Sequence, residues 1–377
     1  MTIISSLTTA QIQALSTAAI AVLTAADMAS ITTTQVPVLT TAQLAVLTTS
    51  QLAVLNSAQV AALTTAQVAS FGTAQISGFS TAALVGLETA DVVALTTAQV
   101  AALSSAQLKA LTTTTFAAIE TADIAALTTS AIKGLTTAQV AALSTAQMVA
   151  LTTAQVANLS TAAVARITTA DVAALSTAQV AALTSAQVAA LTSAQVAALT
   201  TAQVAGMGTA QVAAFGTAGL AGLETADMVA LSTAQAAALG SAQLAAIATA
   251  TLAAMETADL AALSSGAIKG LTTAQLSALT SAQTSALTTA QVSLLSTTQI
   301  AALGTLQAAA ITTAGIVALT TAQMAGWGTA QLAALTTSQV VALETADIVA
   351  LNATQVGAFS TIKIAAMSAA QISALFL

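Results

Sequence analysis

From Leu7 to Ala374 the chain repeats one eight-residue unit, L-T-T-A-Q-V-A-A, with no insertion or deletion. Residues 7–374 hold 46 such octads. Residues 1–6 form a lead, and Leu375-Phe376-Leu377 open a truncated octad. A chain this periodic buries its apolar side chains by laying repeat on repeat, and its contacts are local. It therefore reads as one continuous array, although a varied sequence of 377 residues would suggest two or three domains. The octad positions are numbered p1 to p8. Position p1 is a large apolar residue, p2 and p3 are mostly Thr or Ser, and p4 is mostly Ala. Position p5 is mostly Gln, p6 is aliphatic, and p7 and p8 are small.

The period excludes an unbroken α-helix. Eight residues at 3.6 per turn rotate an apolar stripe by about 80° per octad, so it faces no single partner. A β-solenoid is the alternative, because Thr and Val favour strands. Against it, A-Q-V-A-A lacks period-2 alternation, and 17 Gly and 1 Pro are few for so many corners. A short helix in every octad accounts for each position. Thr or Ser at p2 is the N-cap. Gln at p5 is then N3 and completes an S/T-x-x-Q capping box, while p1 and p6 are the ends of a hydrophobic staple. The twelve acids all sit at p2 or p5, near the helix start. Lys109, Lys133 and Lys269 at p7 and Arg166 at p8 sit near its end, as the helix dipole favours. Lys363 at p5 is the exception.

Helices of about six residues are unstable alone. The expected fold is all-α, a single-chain α-solenoid with one short helix per octad and with p1, p4, p6 and p8 turned inward. Three or four octads per turn, at about 8–10 Å between stacked helices, give a rod on the order of 100–150 Å long. Both ends would expose apolar stacking surface, so head-to-tail association into a homopolymer is expected. The mean hydropathy is high, yet Ser/Thr steps every eight residues exclude a spanning helix of about 20 apolar residues. Residues 1–6 carry no basic region, so no cleaved signal peptide is expected.

Composition limits the chemistry. With no Cys and no His there is no thiolate nucleophile, imidazole base or N/S zinc site. Five basic residues are too few to track a phosphate backbone, so no nucleic-acid partner is expected. No catalytic, cofactor-binding or metal residue is assigned, no small-molecule substrate is expected, and the chain is not read as an enzyme. Five octads pair Glu at p2 with Asp at p5: Glu88/Asp91, Glu120/Asp123, Glu224/Asp227, Glu256/Asp259 and Glu344/Asp347. Asp27 and Asp171 follow Thr instead. The main reading of these acids is helix-start electrostatics plus surface charge. A Ca²⁺ site is the sharper one, which needs carbonyls or a stacked neighbour to complete the shell.

Phe71, Phe79, Phe215, Trp327 and Phe359 at p1 and Phe116 at p6 read as core filling, with a sugar-stacking role for Trp327 as the minor alternative. Pro37 at p7 implies a kink or a very short helix. Glu88 to Glu224, Glu120 to Glu256 and Lys133 to Lys269 are all separated by the same whole number of octads, so the array carries an internal duplication.

The L-[ST]-T-A-Q-[VI]-A-A units resemble bacterial low-complexity octapeptide-repeat proteins taken for secreted or surface proteins. The tail Ala374-Leu375-Phe376-Leu377 is similar to the short aliphatic ends of type I secretion substrates, without the acid that often precedes them. The resemblance implies an extracellular or cell-surface location, reached without a cleaved signal peptide. The expected function is structural, a self-associating protomer of an extracellular filament, sheath or adhesive matrix. The alternatives are an ice- or surface-binding protein using regularly spaced Thr, and a Ca²⁺-tuned adhesin.

Overall fold

In most octads two consecutive extended residues turn the chain and a capping box starts the next helix. At the consensus octad of Thr64, the cap residue is extended, with φ −79° and ψ 152°. Its N–H donates to Gln67 Oε1 at 2.8 Å, and Gln67 N–H donates back to Thr64 Oγ1 at 3.3 Å. Two of the orphan donors of the helix start are thus satisfied. The helix stops at the next p1. Leu159 ends its helix at φ −62° and ψ 143°, and Ser160 follows at φ −67° and ψ 151°. This extended pair makes the corner. No described residue has a positive φ, so the corner requires neither Gly nor Asn. That explains how so many corners form with so few turn residues.

The structure, a computed structural model, describes residues 3–376. Among them are 44 α-helices of four to six residues, three 3-10 helices and no strand. The β-solenoid alternative is thereby set aside. Two compact units divide the chain, Met1–Gln187 and Val188–Leu377, and each is an α-solenoid. In the first unit, helix Thr97–Ala101 stacks on Thr121–Ala126, which stacks on Thr145–Ala150 and then Thr169–Ala174. In the second unit, Ser193–Ala197 stacks on Thr217–Leu220, then Ser241–Ala246, then Ala267–Gly270. Each step passes over two octads to reach the third, so a turn holds three octads.

The p1 and p6 side chains of the three octads meet along the middle of the coil. Leu63, Val68, Phe71, Ile76, Phe79 and Leu84 close around a void of about 10 Å³, no more than the space of one water molecule. Phe71 and Phe79 pack edge to face there, with ring centres 5.2 Å apart at 82°. The expectation for p4 is corrected. Ala66, Ala98 and Ala154 are exposed, p8 is half-buried, and p5 is buried in place of p4. In a helix of little more than one turn, p5, p6 and the following p1 lie on one side, and that side faces the core.

Two octads lose the α-helix. Pro37 leaves only the 3-10 helix Val36–Val38, because its ring nitrogen has no hydrogen to donate. The 3-10 helix Ala267–Gly270 follows Gly266 at p4. Its counterpart in the earlier copy of the duplication has Ser130 there and keeps the α-helix Thr129–Lys133. Glycine in so short a helix costs about 1 kcal/mol relative to Ala, enough to tip its geometry.

Successive turns approach closely where p8 lies over p3 of the turn before. A Cβ on Gly86 would sit 2.0 Å from Ser57 O, and one on Gly222 would sit 1.9 Å from Ser193 O. Gly222→Ala is expected to cost about 1–3 kcal/mol, the range for overpacking. Gly72→Ser at an N-cap, where a Cβ meets nothing closer than 3.7 Å, is expected to gain a few tenths of a kcal/mol. Urea unfolding followed by circular dichroism separates the two; equal midpoints for both variants would refute the close approach.

Candidate functional site

The polar position that the fold buries most consistently is p5, and the turns are joined there. The Gln side chain does two jobs. Its oxygen closes the capping box of its own octad, and its amide nitrogen donates to carbonyls of the turn before. Gln155 Oε1 accepts from Thr152 N–H at 2.7 Å, while Gln155 Nε2 donates to Ile124 O at 2.9 Å and Leu127 O at 2.7 Å. In the second unit Gln275 Nε2 donates to Leu244 O at 2.8 Å and Ile247 O at 2.7 Å. In both cases the acceptors stand at p6 and at the following p1 of the octad beneath. The p6 carbonyl also takes the N–H of the following p1, as Ile124 O takes Leu127 N–H at 3.3 Å, whereas the p1 carbonyl lies past the helix end, where the helix supplies no donor. Every polar atom of a side chain only 2 % exposed, as Gln155 is, thereby finds a partner.

Sequence reasoning assigns Gln to the capping box and misses its second role. The signal was present. A capping box accepts Glu as readily as Gln, yet no octad has Glu at p5. An amide is needed because one end accepts and the other must donate.

The exceptions obey the same geometry. Lys363, out of place as a dipole partner, points its Nζ at Ala333 O and does with an ammonium what Gln does with an amide. Thr115 and Thr251 have one hydroxyl proton and reach one carbonyl each, Leu87 O at 3.4 Å and Leu223 O at 3.3 Å.

Aspartate at p5 is different, because a carboxylate cannot donate. The reading of the acids as surface charge holds for the five Glu, which are exposed. It is corrected for Asp: Asp91, Asp123, Asp171, Asp227, Asp259 and Asp347 are buried. Asp171 is served by hydroxyls on both oxygens, with Thr145 Oγ1 2.7 Å from Oδ1 and Thr168 Oγ1 2.6 Å from Oδ2. The second of these is its own cap residue. Where the cap is Glu, that hydroxyl is absent. Asp91 Oδ2 and Asp227 Oδ2 instead accept the Glu88 and Glu224 N–H, at 3.0 Å and 3.3 Å. Asp259 and Asp347 each keep one buried oxygen without a hydrogen bond. Burial pushes the carboxyls of Asp91, Asp227 and Asp347 above their ordinary range, and the neighbouring Glu charge adds to the push. Asp27 goes the other way, lowered by hydrogen bonds from Thr24.

The aromatic residues at p1 and at p6 fill the core as expected, while Phe376 is exposed. Trp327 is 1 % exposed, with its indole N–H on Ile300 O at 3.2 Å, so it offers no stacking face to a sugar. Among the described residues no helix is long and apolar enough to cross a membrane.

A model of the ALTTAQ repeat matches eight segments: residues 34–65, 84–118, 116–153, 164–201, 220–255, 252–289, 308–345 and 340–376. Together they cover well over half of the chain. No curated protein matches it.

Proposed function

The chain belongs to the ALTTAQ repeat family, and from that premise we propose a structural role, in which copies self-associate into an extracellular or cell-surface filament, sheath or adhesive matrix. One observation carries this reading. The buried Gln of p5 is spent on joining a turn to the turn before it, as Gln155 and Gln275 are. The acceptors are backbone carbonyls, which every octad presents. A turn therefore recognises another turn by its backbone register and not by a particular side chain. A turn supplied by a second copy meets the same requirement, so stacking between copies needs no dedicated interface. The outer face adds Thr, Ser and Ala at p2, p3 and p4, with little charge to hold neighbouring copies apart.

Negative-stain electron microscopy of the full-length protein tests the proposal. Uniform filaments that lengthen with protein concentration are the expected result. Discrete particles of constant size at high concentration would reject it.

A second reading has its own support. The p2 hydroxyls are engaged as caps, but p3 Thr such as Thr137, Thr153 and Thr177 are exposed. A regular hydroxyl array of that kind suits ice or another ordered surface. Thermal hysteresis at millimolar protein would support it, and freezing without hysteresis would remove it.

A further inference from the structure

We propose that Glu256/Asp259 and Glu344/Asp347 each bind one hard divalent cation, of the Ca²⁺ class, between one solenoid turn and the next. The protein carries its own comparison in two kinds of acidic octad. In the T-x-x-D octads the cap hydroxyl donates to the aspartate: Thr24 Oγ1 lies 2.6 Å from Asp27 Oδ2, and Thr168 Oγ1 lies 2.6 Å from Asp171 Oδ2. In the E-x-x-D octads a second carboxylate replaces that donor. At Asp259 and Asp347 the same oxygen, Oδ2, is left buried with no hydrogen bond, in residues only 2 % exposed. A buried anionic oxygen without a partner costs several kcal/mol, and a like charge three residues away on the same helix start makes it worse.

The surroundings supply oxygen. In the register by which Gln finds the p6 and p1 carbonyls of the turn before, the acceptors below Asp347 are Ile316 O and Leu319 O. Below Asp259 they are Met228 O and Leu231 O. In an ordinary octad the Gln amide covers the equivalent pair. Here the aspartate brings no donor to them. Among the described residues no third acidic side chain joins either pair, so the shell is completed by backbone and solvent. Two carboxylates, carbonyls of the preceding turn and water make the all-oxygen set that Ca²⁺ takes with six to eight ligands. The cation supplies the positive charge that the Gln amide dipole supplies elsewhere. It also gives Glu a purpose at p2 of these two octads, since each carboxylate alone is a poorer choice than the Thr and Gln of the consensus. The Asp347 carboxyl has donors in the Thr321 side chain and the Glu344 backbone, but its Oδ2 has none; Asp91 and Asp227 spend Oδ2 on their own Glu N–H and are not included.

Equilibrium dialysis of the full chain against Ca²⁺ alone tests this. The expected result is one ion at each of the two pairs by about 1 mM Ca²⁺, the range of extracellular calcium modules. Glu344→Thr converts one pair to the T-x-x-D arrangement that Thr168 and Asp171 already use, and should lower the stoichiometry by one. The double variant E256T/E344T should bind none and lose the Ca²⁺-dependent rise in Tm, while its circular dichroism stays helical. Asp347→Gln, which restores the consensus residue, is a second route to the same loss. No bound Ca²⁺ at that concentration, or binding undiminished in E256T/E344T, overturns the proposal.

Discussion

Gln155→Glu is expected to destabilise the chain by about 3–5 kcal/mol at neutral pH, the cost of an uncompensated buried charge. The substitution is nearly isosteric and leaves Thr152 N–H its acceptor, so the capping box survives. What changes is the end that faces the turn below. A carboxylate oxygen takes the place of an amide that donates to Ile124 O at 2.9 Å and Leu127 O at 2.7 Å. Oxygen then opposes oxygen in a site closed to water. The glutamate answers by holding its proton, so its folded pKa rises above the unfolded value of about 4.3. The folded state then binds more protons than the unfolded state, and stability falls as pH rises through that window. Most of the loss should be recovered near pH 4, because a protonated carboxyl donates as the amide does. Gln155→Met separates charge from hydrogen bonding. It removes the donor, and with it the acceptor of Thr152 N–H, without adding an anion, and should cost about 1–3 kcal/mol with no dependence on pH. Urea unfolding of the three proteins at pH 4 and pH 7 measures both effects. If Gln155→Glu matches the parent at pH 7, p5 does not join the turns.

The helix starts, the inward p1 and p6 and the core aromatics were legible in the sequence because each depends on residues within one octad. Thr64 and Gln67 cap one another whatever the next turn does. The second role of Gln155 depends on Ile124 and Leu127, far back along the chain, and nothing marks that distance. All octads look alike, so the sequence carries a period of one octad and no sign of the three-octad turn. The inward placement of p4 failed for a related reason. Ala at p4 is apolar and Gln at p5 is polar, so composition alone turns the wrong one inward. Only the carbonyls of the preceding turn make burial of Gln favourable. The burial of the aspartates followed that same error, since a residue replacing Gln takes its place in the core. Lys363 shows the gain from the corrected register: a residue that broke the charge pattern becomes another donor to the turn below.

The converse substitution should strengthen the protein. Asp91→Gln and Asp227→Gln are each expected to stabilise the chain by about 1–3 kcal/mol at pH 7, which few single substitutions do. Each gives the carbonyls of the preceding turn a donor and removes an anion that burial penalises. The pH dependence fixes the cause. Burial raises the carboxyls of Asp91 and Asp227 in the folded protein, so the parent binds protons there that its unfolded chain releases. Between the ordinary carboxylate range and those raised values, the parent gains stability as pH falls. The Gln variants lack that gain, so their advantage should be largest at neutral pH and shrink towards pH 4. Asp27 contributes in the opposite sense, because its carboxyl is lowered and its contribution is lost as pH falls. It is common to parent and variants and cancels from the difference. A constant advantage from pH 4 to pH 7 would place the benefit in packing and not in charge. No advantage at either pH would mean that Thr65 and Thr201, which lower the two carboxyls, already satisfy them. The choice of Asp over Gln would then carry no energetic penalty for the stack.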